Sequence, residues 1–288
     1  MANSWNGLLL VNKEAGFTSN DVVAKLRGIL KQKKIGHTGT LDPDAVGLLV
    51  VCLGNATRAV ELLSEHDKEY IALVRLGVIT DTQDMTGTIL EERDASVVTR
   101  EKLNEAVQAF RGTYDQIPPM YSAVKVQGRR LYKLAREGKT VERAARAVSI
   151  YRLDLLSFNG SQLLLDVSCS KGTYIRTLCN DIGELLGCGG CLSSLRRTEA
   201  GVFSVSQANS LEEIIAGKFS LLPTDTLFQK YAALSLKEDD EKRVRNGGTF
   251  QSEVQDGLYR LYALSGEFLA LGSAENNKIK TVKSFFEV

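Results

Sequence analysis

Histidine is nearly absent from this chain: His37 and His66 are the two among 288 residues. A histidine-rich metal site is therefore excluded. Charge of one sign is also lacking, since 36 basic and 35 acidic side chains leave a net charge of +1. Total charge thus says nothing about a polyanionic partner. No apolar run reaches the roughly 18 residues that a membrane span needs. Residues Met1–Gly7 have neither the basic start nor the apolar core of a signal peptide. A cytoplasmic protein without membrane association is the expectation. Several reactive motifs are missing too. There is no GxSxG and no HExxH. Gly138-Lys139-Thr140 imitates the end of a P-loop, but the required glycine at position 133 is lysine. Asp81 to Glu92 has the length of an EF-hand loop, yet Thr86 stands where its turn glycine belongs.

Cysteine is present in an odd number, five, which argues against a secreted disulfide framework. Cys188-Gly-Gly-Cys191 has CxxC spacing, and Cys169 and Cys179 could complete a four-sulfur zinc site. A second closely spaced pair is missing, and free cysteine is commonly a buried small hydrophobe. Buried thiols are the better reading, and no cofactor or metal is expected. Hydrophobic content of 43% and charged content of 25% suit a globular chain with a sizeable core.

The most informative stretch is Gly36-His37-Thr38-Gly39-Thr40-Leu41-Asp42-Pro43-Asp44-Ala45-Val46-Gly47. It sets a carboxylate before a proline, among glycines, beside an apolar run from Leu48 to Leu53. Asp42 and Asp44 could form a glycosidase pair, but two residues apart, with proline between, they should point in different directions. On the loop alone, Asp42 reads equally as an Asx-type turn residue or as a nucleophile. Basic clusters flank the loop in sequence. Lys25, Arg27, Lys31, Lys33 and Lys34 precede it; eight basic side chains against two acids occupy Tyr121 to Val148. A solvated helix face is the bland explanation of one such run. Two runs around one reactive loop favour a phosphate backbone.

Organisation follows from periodicity. Leu8–Val11 reads as a buried strand, and Thr18 to Asp21 has capping-box spacing before Val22, Val23, Leu26, Ile29 and Leu30 at helical intervals. Leu48 to Leu53 reads as a strand and Ala56 to Ser64 as a helix. Strand alternation recurs over Glu69–Gly77 and Gln162–Ser170. Helical stripes run through Leu103, Ala106, Val107 and Phe110, and from Ile175 to Leu186, with Gly187 as C-cap. The mixture lacks a strict β-α-β rhythm, which predicts an α+β fold with a mostly antiparallel sheet flanked by helices. Near Leu222-Pro223 a polar link leads to the charged run Lys237–Arg243. Strand-like pieces at 258–264, 268–272 and 279–286 follow. The boundaries expected are a domain over residues 1–225 and a small β-rich domain over 226–288.

The Asp42 loop resembles the catalytic motif of TruB-type tRNA pseudouridine synthases, GHTGxLDPxAxG. Further segments are similar to that family in the same order: Val11-Asn-Lys13-Glu-Ala-Gly16-Phe-Thr-Ser19, Lys68-Glu-Tyr70, and Thr80-Asp-Thr-Gln-Asp84-Met-Thr-Gly87. Beyond them stand Gln116-Ile-Pro-Pro-Met-Tyr-Ser-Ala-Val-Lys125, Cys169-Ser-Lys-Gly-Thr-Tyr-Ile-Arg176 and Leu195-Arg196-Arg197. One departure is Glu14, where the family has proline after the lysine.

The resemblance implies a pseudouridine-synthase catalytic domain, with an RNA-gripping insertion at about 116–148, and a PUA-like RNA-binding domain at the carboxyl end. It implies isomerisation of uridine-55 in the T arm of tRNA. The base would be flipped out of the folded RNA, with Asp42 as covalent nucleophile and no cofactor. Whether the carboxylate attacks the ribose or the uracil ring stays open. By resemblance Arg176 keeps Asp42 ionised, Tyr70 stacks on the uracil, Tyr174 and Leu195 line the pocket, and His37 fills the space the base leaves. The partner implied is tRNA, through its T-arm stem-loop, bound by a monomer without an obligatory protein partner. Two rivals are a non-catalytic tRNA-binding or folding chaperone and a guide-RNA-dependent synthase. The second is disfavoured because long basic tails are missing.

Overall fold

Gly7–Lys13 forms strand β1, and four successive leucine and valine residues make it apolar on both faces. A strand of that kind must be covered on both sides, and Leu8, Leu9, Leu10 and Val11 are all buried. The computed structural model describes residues 5–63 and 66–286. They fall into two units: Met1–Pro43, Leu48–Glu65 and Val205–Val288 in the first, Asp44–Gly47 and His66–Ser204 in the second.

In the first unit, helix α1 (Ser19–Ile29) starts at the expected capping box. The Thr18 hydroxyl accepts from the Asp21 backbone N–H at 3.0 Å, and the Asp21 carboxylate accepts from the Thr18 N–H at 2.9 Å. Its buried stripe, Val22, Val23 and Leu26, packs with Leu9 and Val11 of β1. Leu49, Val51 and Leu53 of β3 (Val46–Leu53) join the same cluster. Strand β2 (Ile35–His37) runs antiparallel to β3, with His37 opposite Val51. The helix expected at 56–64 begins as a 3₁₀ turn, Gly54–Ala59, and becomes α2 only over Val60–Leu63. Residue 64 of that expectation lies outside the described residues. Gly54 and Thr57 explain the irregular start, because the Thr57 hydroxyl donates to the Gly54 carbonyl at 2.7 Å.

The second unit is built on one sheet. Its strands are β4 (Lys68–Leu76), β7 (Gly112–Gln116), β10 (Arg146–Phe158), β11 (Gln162–Cys169) and β12 (Gly190–Ala200). The order is β12-β4-β11-β10-β7, every neighbour antiparallel. A hairpin of β5 (Val78–Thr80) and β6 (Ile89–Glu92) follows β4, and helix α3 (Arg100–Ala109) precedes β7. The basic segment carries a two-residue hairpin turn at Gln127-Gly128, both at positive φ, between β8 (Lys125–Val126) and β9 (Arg129–Arg130). Helix α4 (Leu131–Arg136) completes it, anchored by buried Leu131 and Leu134. Helix α5 (Ile175–Leu185) packs on β12 and β4 and ends before Gly187, which has a φ of +78°, at the expected C-cap. Gly183 permits that packing: a Cβ there would stand 2.3 Å from the backbone of Gly189 and Gly190. One parallel contact makes the sheet mixed, since Val46 and Gly47 pair with Arg196 and Arg197 of β12. Strand β13 (Phe203–Ser204) folds back on β12.

The carboxyl-terminal stretch belongs to the first unit. Leu8 exchanges backbone hydrogen bonds with Leu222 at 2.8 and 2.9 Å, and helix α6 (Leu211–Ile215) adds Leu211 and Ile214 to the α1 cluster. Residues 226–288, expected to be β-rich, contain β14 (Ala232–Ser235), α7 (Glu238–Arg245), β15 (Phe250–Gln251), β16 (Gly257–Tyr262), β17 (Phe268–Glu275) and β18 (Lys278–Ser284). These strands form a five-stranded sheet in the order β14-β16-β17-β18-β15, with its own core around Leu261, Leu269, Ala270 and Ile279. The fold class is the α+β class expected. The charged run Lys237–Arg243 holds a helix that its lack of apolar periodicity concealed. Four acids fill the first turn of α7 and three bases the last, an order the helix dipole favours. Ion pairs Glu238–Lys242 and Glu241–Arg245 span its turns at 2.8 and 2.9 Å.

Candidate active site

Asp42 is half-buried, and both residues beside it are clamped. On one side the Leu41 N–H donates to the Ser19 hydroxyl at 2.8 Å, and that hydroxyl donates to the Leu41 carbonyl at 3.3 Å. On the other side the Pro43 carbonyl accepts from the Lys13 ammonium at 2.9 Å and from the Gly16 N–H at 3.0 Å. Lys13 is wholly buried. It also donates to the carbonyls of Phe17 at 2.7 Å and Glu14 at 2.9 Å. A buried ammonium needs such partners, and a compact head with three donors can bind three carbonyls that converge. Lys13 was quoted within a motif but not expected at the site. Its burial next to a charged, turn-rich stretch leaves no periodic signal. His37, the last residue of β2, is half-buried, and the next backbone N–H, of Thr38, donates to Val50 O at 3.1 Å.

The loop then continues to Gly47, whose φ is +100°. A Cβ there would lie 2.3 Å from the Arg197 carbonyl oxygen. Glycine is therefore required both by conformation and by close approach.

The second unit holds Tyr70, Tyr174, Arg176 and Leu195. Leu195 on β12 stands opposite Ala72 on β4, and Tyr70 lies two residues from Ala72. Residues directly opposite, and residues two apart, share a sheet face. Tyr70 and Leu195 are thus diagonal neighbours on one face, 8% and 9% exposed. Burial, and then the Arg197 cation, hold the nearby Lys68 ammonium below its ordinary value.

Tyr174 is the half-buried N-cap of α5, and Arg176 lies in that helix's first turn. Arg176 is 6% exposed, so its charge must be met from within the protein. Its Nη1 donates to Thr82 O and its Nη2 to Tyr121 O, each at 2.9 Å, while Nε lies 3.6 Å from the Asp84 carboxylate. Asp84 is held in turn. Its Oδ1 accepts from the Thr82 hydroxyl at 2.8 Å and the Thr86 N–H at 3.0 Å. The Thr177 hydroxyl donates to Gln83 Oε1 at 2.8 Å, tying the same turn to α5. Asp84 was not expected among the site residues, although the threonine-aspartate turn that holds it is visible in the sequence as Thr80 to Gly87.

The cysteines are packing residues. All five are buried and unpaired by disulfide. Burial pushes the thiols of Cys52 and Cys169 up to about 12 and that of Cys191 up to about 11, far from a thiolate nucleophile at neutral pH. Among the described residues no group of three or more histidine, cysteine or acidic side chains could hold a metal ion. No helix among them is long and apolar enough to cross a membrane.

Residues 27–175, which include the Asp42 loop, Tyr70, Asp84 and Tyr174, match the TruB family pseudouridylate synthase (N terminal domain). The chain belongs to the TruB family. Residues 176–227 match the tRNA pseudouridylate synthase B C-terminal domain. A tRNA pseudouridine synthase B of Alkaliphilus oremlandii is 46% identical over 98% of this chain and 99% of its own. That of Caldanaerobacter subterraneus subsp. tengcongensis is 44% identical over 98% of this chain and 100% of its own. Among solved structures, a Cbf5-Nop10-Gar1 complex contains a TruB-like chain with a TM-score of 0.74 and 28% identity. The match covers 97% of this chain and 85% of that one. His37, Asp42, Tyr70 and Tyr174 lie within the first matched region and Arg176 and Leu195 within the second, while Lys13 holds the Asp42 loop and Asp84 stands against Arg176.

Proposed function

We propose that this TruB-family chain isomerises uridine-55 to pseudouridine in the T arm of tRNA, with Asp42 as the covalent nucleophile. The observation that carries the reading is the Asp42 loop. A carboxylate fixed by Ser19 through Leu41, and by Lys13 and Gly16 through Pro43, has little freedom left to lose on reaching its transition state. Attack at ribose C1′ or at uracil C6 would use that same carboxylate. The target uridine is stacked in folded tRNA, so the enzyme takes it out of the stack before acting on it. In this reading Tyr70 stacks on the extruded base, Leu195 and Tyr174 wall it, Arg176 supplies a buried cation, and His37 occupies the space vacated in the T loop. The basic insertion at 116–148 holds phosphates, and residues 226–288 act as a PUA-like RNA-binding domain. The protein works in the cytoplasm as a monomer, without a cofactor.

The relatives that carry the name tRNA pseudouridine synthase B match from end to end at 39–46% identity. A chain in an H/ACA RNP bound to a substrate RNA matches at 25%, and one in a Cbf5-Nop10-Gar1 complex at 28%. That contrast favours a stand-alone tRNA enzyme over a guide-dependent one. The test uses a transcript of the T-arm stem-loop and this chain alone. Wild-type protein is expected to convert the uridine. Asp42→Asn is expected to lower the rate by on the order of 10³-fold or more, which corresponds to ~4 kcal/mol of transition-state stabilisation. Its affinity for the RNA is expected to stay close to wild type. An active Asp42→Asn protein would sink the assignment.

A further inference from the structure

Gln116 ends β7 and is 2% exposed. A buried primary amide carries two donors and an acceptor that must all be met. Here Oε1 accepts from the Tyr174 N–H at 2.8 Å, and Nε2 donates to the Tyr174 carbonyl at 3.1 Å. The remaining Nε2 proton goes to the Tyr114 hydroxyl. One side chain thus bonds both backbone groups of a single residue 58 positions away, the pattern a neighbouring strand would supply. Tyr174 is the N-cap of α5, its carbonyl also accepts from the Leu178 N–H at 3.0 Å, and no side-chain cap fixes the helix start. Five residues after Gln116, the Tyr121 carbonyl accepts from Arg176 Nη2 at 2.9 Å. The entry to the basic segment therefore grips the first turn of α5 at two points, on either side of Pro118-Pro119.

We infer that Gln116 is a positioning residue for the reaction: its amide sets the backbone of Tyr174, and through the helix start the aim of Arg176. RNA seated on the basic segment and the side chains at the head of α5 are thereby held in one register. This rests on the proposed T-arm activity, while the anchor itself can be judged without it.

The full chain is compared with Gln116→Leu and Gln116→Glu in three measurements: single-turnover rate at saturating T-arm stem-loop, RNA affinity, and amide exchange at Tyr174. Gln116→Leu is expected to slow the rate by about 10²-fold while affinity stays within about 3-fold, because a misplacement of about 1 Å has that cost. Exchange at Tyr174 should accelerate. Gln116→Glu keeps the acceptor, but as a carboxylate it cannot donate to the Tyr174 carbonyl. Once protonated its single O–H can donate to the Tyr174 carbonyl, leaving the Tyr114 hydroxyl to donate rather than accept, and burial raises the pH at which that happens. Its rate relative to wild type should therefore climb as pH falls.

Three results would overturn the inference: a wild-type rate for Gln116→Leu below its unfolding temperature, a loss confined to RNA affinity, or a Gln116→Glu ratio flat with pH. If Gln116→Leu does not fold, the pH profile and Tyr174 exchange of Gln116→Glu decide alone. If wild-type protein makes no pseudouridine in the T arm, the proposed activity fails. Unchanged Tyr174 exchange in both variants would then still overturn the anchor.

Discussion

Lys13 spends a charge inside the protein, where lysine is seldom found. Removing an ammonium from water costs several kcal/mol, and three carbonyl acceptors at 2.7–2.9 Å offset it. One of them belongs to Pro43, so the same ammonium that closes the turn after β1 also restrains the residue following Asp42. Lys13→Met fills the space but leaves those carbonyls short of a donor. We expect it to lower the unfolding free energy by roughly 3 kcal/mol, measured by denaturant titration. It should reduce the single-turnover rate as well, since the Asp42 loop loses one of its clamps. Lys13→Arg should not rescue it, because a flat guanidinium fork does not match acceptors arranged around a compact head. Lys13 lies within a family motif, but its role is not legible in sequence. The three acceptors are main-chain carbonyls, which leave no trace in residue identity. Asp84 was hidden similarly: its carboxylate reaches Arg176 from 92 positions earlier in the chain, and nothing local marks that contact.

At the scale of elements, local signals carried most of the fold. The capping box of α1 could be read from Thr18 and Asp21, and the same two residues give it a pH dependence. The Thr18 hydroxyl, then the Thr18 backbone N–H, hold the Asp21 carboxyl below its ordinary value of 3.8. A depressed folded pKa means the stabilisation is complete above 3.8 and is lost as pH falls through the lower, folded value. Asp21→Asn should therefore be less stable than wild type at neutral pH. Thermal unfolding should show the gap closing as pH drops below that range. Strands β4 and β11 were legible because each buries one face and alternates accordingly. Helix α7 was not, since Val244 is its one buried residue and its stability comes from charge order. The 3₁₀ start before α2 was missed because a threonine-to-backbone bond, rather than an apolar stripe, shapes it.

At the scale of the molecule, the basic segment is the feature that composition exposed and net charge concealed. Its hairpin and α4 present Arg130 and Lys133 to solvent, while Glu137 pairs with Arg129 and Lys139. Arg130→Ala should flatten the dependence of log affinity on log salt by about one unit. It should leave the single-turnover rate at saturating RNA unchanged. Filter binding over a salt series checks the first expectation, and a slope equal to wild type would remove Arg130 from the phosphate contacts. The motifs that carried the family resemblance are scattered from Val11 to Arg197, and they were legible together, in their order, rather than one by one. The grouping of residues 1–43 and 48–65 with 205–288 was not, because pairings such as Leu8 with Leu222 join stretches that share no periodicity.

That pairing has a consequence for how the chain comes together. The second unit is almost one continuous stretch, His66–Ser204, so its ladders can close while the rest of the chain is still unstructured. Strand β1 pairs with β3 inside the amino-terminal stretch, and it also bonds Leu222 and Asn209 in the distant carboxyl-terminal stretch. Closing that second, much longer loop costs more chain entropy than the first. Lys13 is the last residue of β1, and it is Lys13 that clamps the loop beside Asp42. The strand that clamps the proposed nucleophile is thus the same strand through which the two ends of the chain are joined.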